Sequence, residues 1–165
     1  MGYNLKNYLK MKRRVDGESR ADPPKPERAV EGSVTMILKG KPDAVGLVEI
    51  GTMNEVQDLQ SRLEAKGLDL PHAEIIRAYD DVRRIALISK FPIVSTNHQT
   101  ALGYQLDEQR FQFRRGIFDA TIQVNPDYQL RVLGVHLKSK RPVDEADQAL
   151  MRRNEAHHVK GLNLA

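Results

Sequence analysis

Ala44-Val45-Gly46-Leu47-Val48-Glu49-Ile50-Gly51 is the stretch that decides the fold of this chain. A nearly unbroken apolar run of this length reads as a buried strand, not as the alternating face of a half-exposed one. Its single charged residue, Glu49, stands at the C-terminal end. Burying an ionised carboxylate costs several kcal/mol unless a cation or strong donors compensate. A divalent metal would compensate, and one or two carboxylates suit Mg²⁺. A strand-end glutamate facing water is the other reading, and this segment alone leaves both open.

On either side of this strand the apolar spacing changes to that of helices. Val30, Val34, Ile37 and Leu38 recur at helical intervals, with Pro26 near the start and Gly40 at the end. Gly32, Ser33 and Thr35 weaken that helix. Downstream, Asn54 with Gln57 reads as a capping box, Val56, Leu59 and Leu63 share one helical face, and Gly67 stops the turn. Further upstream, Asp16 to Arg28 holds three prolines and seven charges and reads as an exposed loop. Before that loop, Tyr3 to Leu9 is a short mixed segment running into the basic stretch Lys10 to Arg14. The opening is strand–helix–strand–helix.

The second half is strand-rich. Ile75 to Tyr79, Ile85 to Ser89, Ile93 to Asn97, Ile117 to Val124 and Tyr128 to Leu137 read as strands. Asp80-Asp81 and Asn125-Pro126-Asp127 are the turns, and strands joined so tightly are antiparallel neighbours. Phe118, Ala120, Ile122 and Val124 share one face; Asp119, Thr121 and Gln123 share the other. Asp144 is placed to cap a last helix to about Lys160, with Ala146, Ala149, Leu150, Ala156 and Val159 on its buried stripe. These elements predict an α/β (α+β) domain with a largely antiparallel sheet.

Composition bounds the function. At 165 residues, with 40% hydrophobic and 29% charged positions, the chain suits one soluble domain. Twenty-six Lys and Arg against twenty-two Asp and Glu leave a net charge of +4, which permits a polyanionic partner without demanding one. The absence of cysteine excludes disulfide scaffolds, thiolate zinc, iron–sulfur clusters and a cysteine nucleophile. No apolar run approaches the ~20 residues of a membrane helix. No signal-peptide h-region follows Met1, which makes the cytoplasm the default expectation.

Few residues are placed to carry chemistry. His136 follows a strong strand and precedes the basic loop Lys138-Ser139-Lys140-Arg141, where an imidazole could meet a phosphate oxygen. Neighbouring cations should depress its pKa. A core histidine bonded to a backbone carbonyl is the competing reading. Arg114-Arg115-Gly116 opens a strand, and an arginine fork there could grip phosphate or simply stay solvated. His157 and His158 are adjacent on a helix and make a poor metal pair. His72 and His98 have no partner at a recognisable spacing. No Gly-rich phosphate loop, nucleophile elbow or HExxH motif occurs.

Five segments, in order, are Tyr3-Asn4-Leu5, Val48-Glu49-Ile50-Gly51, Arg84 to Ile93, Arg114-Arg115-Gly116, and Gly134-Val135-His136-Leu137-Lys138-Ser139. Together they resemble the endonuclease/exonuclease/phosphatase superfamily, the deoxyribonuclease I-like proteins. The resemblance spans nearly the whole chain. It implies a four-layer αββα sandwich, with Mg²⁺- or Mn²⁺-dependent phosphoester hydrolysis at one end of the sheets. It assigns Glu49 and Asn4 to the metal, His136 and Asn4 to catalysis, and Arg115 to phosphate. The implied substrate is a phosphodiester, foremost nucleic acid. Lipid and sugar phosphates, or a catalytically dead anion-binding module, are the alternatives.

The same resemblance shows what is missing. The family continues with a Gly-Asp-Phe-Asn-like strand end and a terminal Ser-Asp-His, but this chain holds neither a Gly-Asp nor an Asp-His dipeptide. Residues 1–165 therefore read as one partial domain, incomplete on its C-terminal side. The expectation is that it is inactive alone, with apolar faces of Ile117 to Val124 and Tyr128 to Leu137 left uncovered.

Overall fold

The computed structural model describes residues 1–139 and 146–162. In chain order its elements are β1 (Gly2–Tyr8), β2 (Arg13–Val15), β3 (Glu18–Arg20), α1 (Glu27–Gly40), β4 (Ala44–Ile50), α2 (Met53–Glu64) and β5 (His72–Ile75). They continue with β6 (Arg84–Ser89), β7 (Ile93–Thr96), β8 (Gly103–Leu106), β9 (Gln109–Gln112), β10 (Ile117–Asn125), β11 (Tyr128–Val135) and α3 (Gln148–Lys160). No helix among the described residues is long and apolar enough to cross a membrane.

The deciding run is β4, inside a four-stranded sheet of order β1-β4-β6-β5. β1 pairs with β4 in parallel, and β4–β6 and β5–β6 are antiparallel. Parallel neighbours need a long crossover, which contains α1. On one face Val45, Leu47, Ala86 and Ile88 pack with Val30, Val34 and Ile37 of α1 and Val56, Leu59 and Leu63 of α2. On the other, Val48, Ile85 and Leu87 meet Phe118, Ala120, Ile122 and Val132 of a second sheet, order β11-β10-β7. Helices, sheet and sheet form successive layers. β4 lacks alternation because both its faces are covered.

Local chemistry explains the boundaries. The carbonyl of Pro26 accepts from Ala29 and Val30 at the start of α1. The capping box of α2 is Thr52 with Glu55, not Asn54 with Gln57. The Thr52 hydroxyl accepts from the Asn54 amide at 3.3 Å, and Glu55 Oε2 accepts from the Thr52 amide at 2.7 Å. The helix begins at Met53, so the cap lies one residue before it. The charged loop holds a hairpin, β2–β3, turned at Asp16-Gly17 with both residues at positive φ, as a two-residue hairpin turn requires.

Other expectations shift in the second half. The strand expected at Ile75 to Tyr79 ends at Ile75; Ile76 donates once more, to the Ile85 carbonyl at 3.0 Å, and the chain then leaves the sheet. The hairpin β10–β11 is antiparallel as expected, but β6 and β7 lie in different sheets, so Lys90-Phe91-Pro92 carries the chain across the core. β8–β9 form a hairpin not among the expected strands, although Tyr104-Gln105-Leu106 and Phe111-Gln112-Phe113 alternate around it. α3 is capped by Asp147, whose carboxylate accepts from the Ala149 and Leu150 amides at 2.7 and 2.9 Å; Asp144 lies outside the described residues. Its buried residues are Met151 and Glu155, while Ala149, Leu150 and Ala156 are exposed. α3 packs against β8, and Glu155 is drawn inward by the Lys138 amide, which donates to its Oε2 at 2.5 Å. The inner face of β10 is covered by the first sheet; Tyr128 and Leu130 of β11 remain exposed.

Candidate functional site

The site begins with two faults in strand pairing. The β1–β4 register slips between Asn4 and Tyr8, and the β4–β6 register slips between Val48 and Ile50. Lys6, Asn7 and Glu49 have φ of 49°, 63° and 62°, a left-handed conformation that costs a side-chain-bearing residue about 1–2 kcal/mol. Alternation from Val45 and Leu47 would send residue 49 into the helix-facing core. Ile50 fills that core instead. The bulge thus re-aims Glu49 towards the end of the sheet, a standard use of an extra residue in a strand.

There Asn4 Nδ2 donates to Glu49 Oε1 at 3.1 Å, and Asn4 Oδ1 accepts from the Lys6 amide at 2.8 Å. His136 Nε2 lies 3.6 Å from the same Glu49 oxygen. His136 follows the last residue of β11, and Ile117 pairs with Val135, so the hairpin brings Arg115 beside it. Arg115 Nη1 donates to the His136 carbonyl at 3.4 Å. The turn depends on Gly116, at φ 62°, where a Cβ would collide with the Gln99 carbonyl oxygen. Asp80 completes the group. Its Oδ2 is 3.5 Å from Arg115 Nε, and its Oδ1 accepts from the Val82 and Arg83 amides at 3.1 and 2.9 Å.

Burial, and then the Arg115 charge, lower the His136 pKa; Glu49 and Asp80 pull the other way. The direction matches the sequence expectation, but desolvation is the larger cause. Burial also lowers Arg115, against Asp80 and Glu155. It raises Glu155, against the Lys138 amide and Arg115. His136 Nδ1 and Arg115 Nε are buried without a hydrogen-bond partner, and the only contact of the latter among the described residues is the longer one to Asp80. A cavity of about 540 Å³ opens beside them, lined by Tyr79, Arg110, Arg115, His136, Lys138 and Glu155 among others. Tyr79 is 66% exposed, with the Arg114 guanidinium 5.9 Å above its ring.

All four residues singled out from sequence, Asn4, Glu49, Arg115 and His136, therefore meet at one end of the two sheets. The remaining histidines do not join them. His98 contacts Glu74 and accepts from the Asp119 amide; His158 tilts against Tyr104 and Phe113; His157 is exposed. Lys140 and Arg141 lie outside the described residues. Sequence reading missed Asp80, Arg83 and Glu155. Asp80 was visible as a turn residue, but its partner is 35 positions away, and no local pattern links them.

Among the described residues no group of three or more His, Asp or Glu side chains could hold a metal. Both described contacts of the Glu49 carboxylate fall on Oε1, so Oε2 is the oxygen left for a cation. One carboxylate with a neighbouring amide oxygen does not make a protein cage. It does fit Mg²⁺ that keeps several waters and takes its remaining ligands from a phosphate.

No family model and no curated protein matches the chain. Among solved structures it is similar to an endonuclease/exonuclease/phosphatase family protein from Leptotrichia buccalis C-1013-b, at a TM-score of 0.51 and 11% identity, over 81% of this chain and 55% of that one. The likeness is one of fold. The chain spans about half the length of the structure it resembles.

Proposed function

We propose that the end of the sheets carrying Asn4, Glu49, Arg115 and His136 is a phosphoester-hydrolysing site, its first substrate class the phosphodiesters of nucleic acid. The carrying observation is the convergence of Asn4, Glu49, Arg115 and His136 from β1, β4 and the two ends of the β10–β11 hairpin, with Glu49 held at φ 62° to get there. The deoxyribonuclease I-like sandwich, to which the fold likeness gives partial support, would place a site at this same end.

Arg115 would bind a nonbridging oxygen through its guanidinium fork. His136, its pKa lowered, would present a neutral imidazole that takes a proton at Nε2 from solvent water when an anion enters. It would deliver that proton to the leaving oxygen as water adds to phosphorus and the P–O bond to that oxygen breaks. Asn4 would hold the Glu49 carboxylate in orientation. Glu49 and Asn4 would hold Mg²⁺ or Mn²⁺, which, when bound, supplies Lewis-acid neutralisation of phosphate charge. Base catalysis of water typically contributes ~10²–10⁴-fold, and the family's Gly-Asp and Asp-His motifs are absent from these 165 residues. Binding with only trace turnover is therefore the expected behaviour of this chain. The single carboxylate favours one further reading, an anion-binding module without turnover.

Calorimetric titration of Mn²⁺ and Mg²⁺ into the chain and Glu49→Ala, paired with cleavage assays of DNA, RNA and a simple phosphodiester, tests this reading. Weak metal binding lost in Glu49→Ala, and trace cleavage lost in His136→Ala, support it. Equal metal binding by both proteins refutes the metal assignment, and metal binding without any cleavage selects the module.

A further inference from the structure

Three cations are gathered on one short stretch of β1 and its exit. Arg13 Nη2 donates to the Asn7 carbonyl at 2.6 Å and to the Leu9 carbonyl at 2.9 Å. Arg83 Nε donates to the side-chain oxygen of the same Asn7 at 2.7 Å. Lys25 Nζ donates to the Leu5 and Lys6 carbonyls at 2.8 and 3.1 Å. They come from β2, the segment before β6, and the Pro-rich segment before α1, and they converge where Lys6 and Asn7 take positive φ. Among the described residues no carboxylate lies within ion-pair distance of any of the three. Arg13 Nε is buried without a hydrogen-bond partner. Burial lowers the Arg13 and Lys25 pKa values; Arg83 adds to the first effect, and Arg13 and Lys6 to the second, against Glu49.

Holding like charges together and partly dehydrated is unfavourable unless an anion arrives. The neighbourhood says which anion. Arg83 follows the Asp80 turn that grips Arg115, and its charge is felt at Arg115 and His136 as well as at Arg13. Arg83 lines the same cavity as Arg110, Arg114, Arg115 and His136. The cationic lining thus extends beyond the central pair of Arg115 and His136. One isolated phosphate would use only the centre, whereas a nucleic-acid strand carries a charge at every nucleotide.

We propose that Arg13, Lys25 and Arg83 form a second phosphate subsite, which holds a backbone phosphate of a nucleic-acid strand displaced from the one at His136. The proposal rests on taking His136 and Arg115 as the seat of the reacting phosphate. The subsite reads charge rather than base, so it contributes affinity and register without sequence preference.

Fluorescence anisotropy in EDTA tests it, with a labelled 12-nucleotide DNA strand titrated between about 50 and 200 mM NaCl. Each lost phosphate contact lowers the salt slope by about 0.7, so over that range the salt-induced loss of binding shrinks roughly threefold per contact. Arg13→Gln and Arg83→Gln should each show this equally on different base sequences. Arg13→Lys should keep the slope, and Lys39→Gln on α1 should match the parent. Thymidine 3′,5′-bisphosphate, read by calorimetry, should lose affinity in Arg115→Gln and keep it in Arg13→Gln. An unchanged slope in both Gln variants overturns the subsite. A slope that falls while the bisphosphate ignores Arg115→Gln supports the subsite and refutes the central seat.

Discussion

Asn4 and Glu49 stand at register faults of two adjacent parallel strands and are joined across them by a hydrogen bond of 3.1 Å. Two interrupted ladders and three left-handed side-chain residues within one end of a sheet cost several times what one turn would. Strain of this kind persists where surrounding packing enforces it, and it clusters at functional sites. The packing is visible here: Ile50 and Tyr8, just past each fault, are buried in the helix-facing core.

Glu49→Gly and Glu49→Ala should therefore differ in stability. Both lose the Asn4 hydrogen bond and the metal oxygen. Only glycine removes the strain at φ 62°, worth about 1 kcal/mol. The glycine variant should melt about 2–4 °C above the alanine variant, with neither binding Mn²⁺. Calorimetric melting decides it. An alanine variant as stable as the glycine one would mean that the strand relaxes once the carboxylate is gone.

Asp80→Ala should cost more than Asp80→Asn. The alanine leaves Arg115 without its ion contact and frees the Val82 and Arg83 amides. Removing one member of a buried pair costs ~3–5 kcal/mol. Arg115 is partly exposed and the contact is long, so about 2 kcal/mol is expected for alanine and about half that for asparagine, which keeps the amide acceptor. Urea denaturation of the three proteins measures both numbers, and equal losses would assign the role of Asp80 to the turn alone.

The fold was legible where one element carried its own signal. Ala44 to Ile50 showed its burial in composition, Val56, Leu59 and Leu63 in spacing, and Phe118 to Val124 in alternation. The helix expected from Val30 onward was also found. The missed site residues depend on partners distant in sequence, whereas the missed hairpin and capping box are local. β8–β9 was overlooked although Tyr104, Leu106, Phe111 and Phe113 alternate with polar residues on either side of the turn that pairs the two strands. The face of α3 was misread because, beside Met151, it buries Glu155, which a backbone amide satisfies. Glu49 was found for its charge in an apolar run, while the left-handed bulge that aims it left no trace in residue type.

Gly116→Ala should disturb the site without touching it. The glycine has φ 62°, and a Cβ there meets the Gln99 carbonyl, which accepts the amide of Ile117 at 2.9 Å. Backbone must move to admit the methyl, and Arg115 is the preceding residue. We expect a loss of about 2–3 kcal/mol, together with weaker bisphosphate binding. Full stability with lost binding, or the reverse, would separate the turn from the placement of Arg115.

Glu155 gives the chain a pH dependence whose sign can be worked out. The carboxyl is 3% exposed, and burial raises its pKa from an ordinary 4.5 despite the Lys138 amide, Arg115 and Arg152. Between the unfolded and folded values the native state keeps a proton that the unfolded state has lost. Unfolding then releases a proton, so stability falls as pH rises through that window. The contribution is whole below the unfolded pKa and gone above the folded one. Glutamine mimics the protonated acid and can still accept from the Lys138 amide at any pH. Urea denaturation of the parent and Glu155→Gln, from about pH 4 to 7.5, should show the variant gaining on the parent with rising pH and then levelling off. Titrations common to both proteins cancel in that difference. A difference that stays flat, or moves towards the parent, would mean that the donors around Glu155 outweigh its burial and that the cavity holds a carboxylate beside Arg115 at every pH.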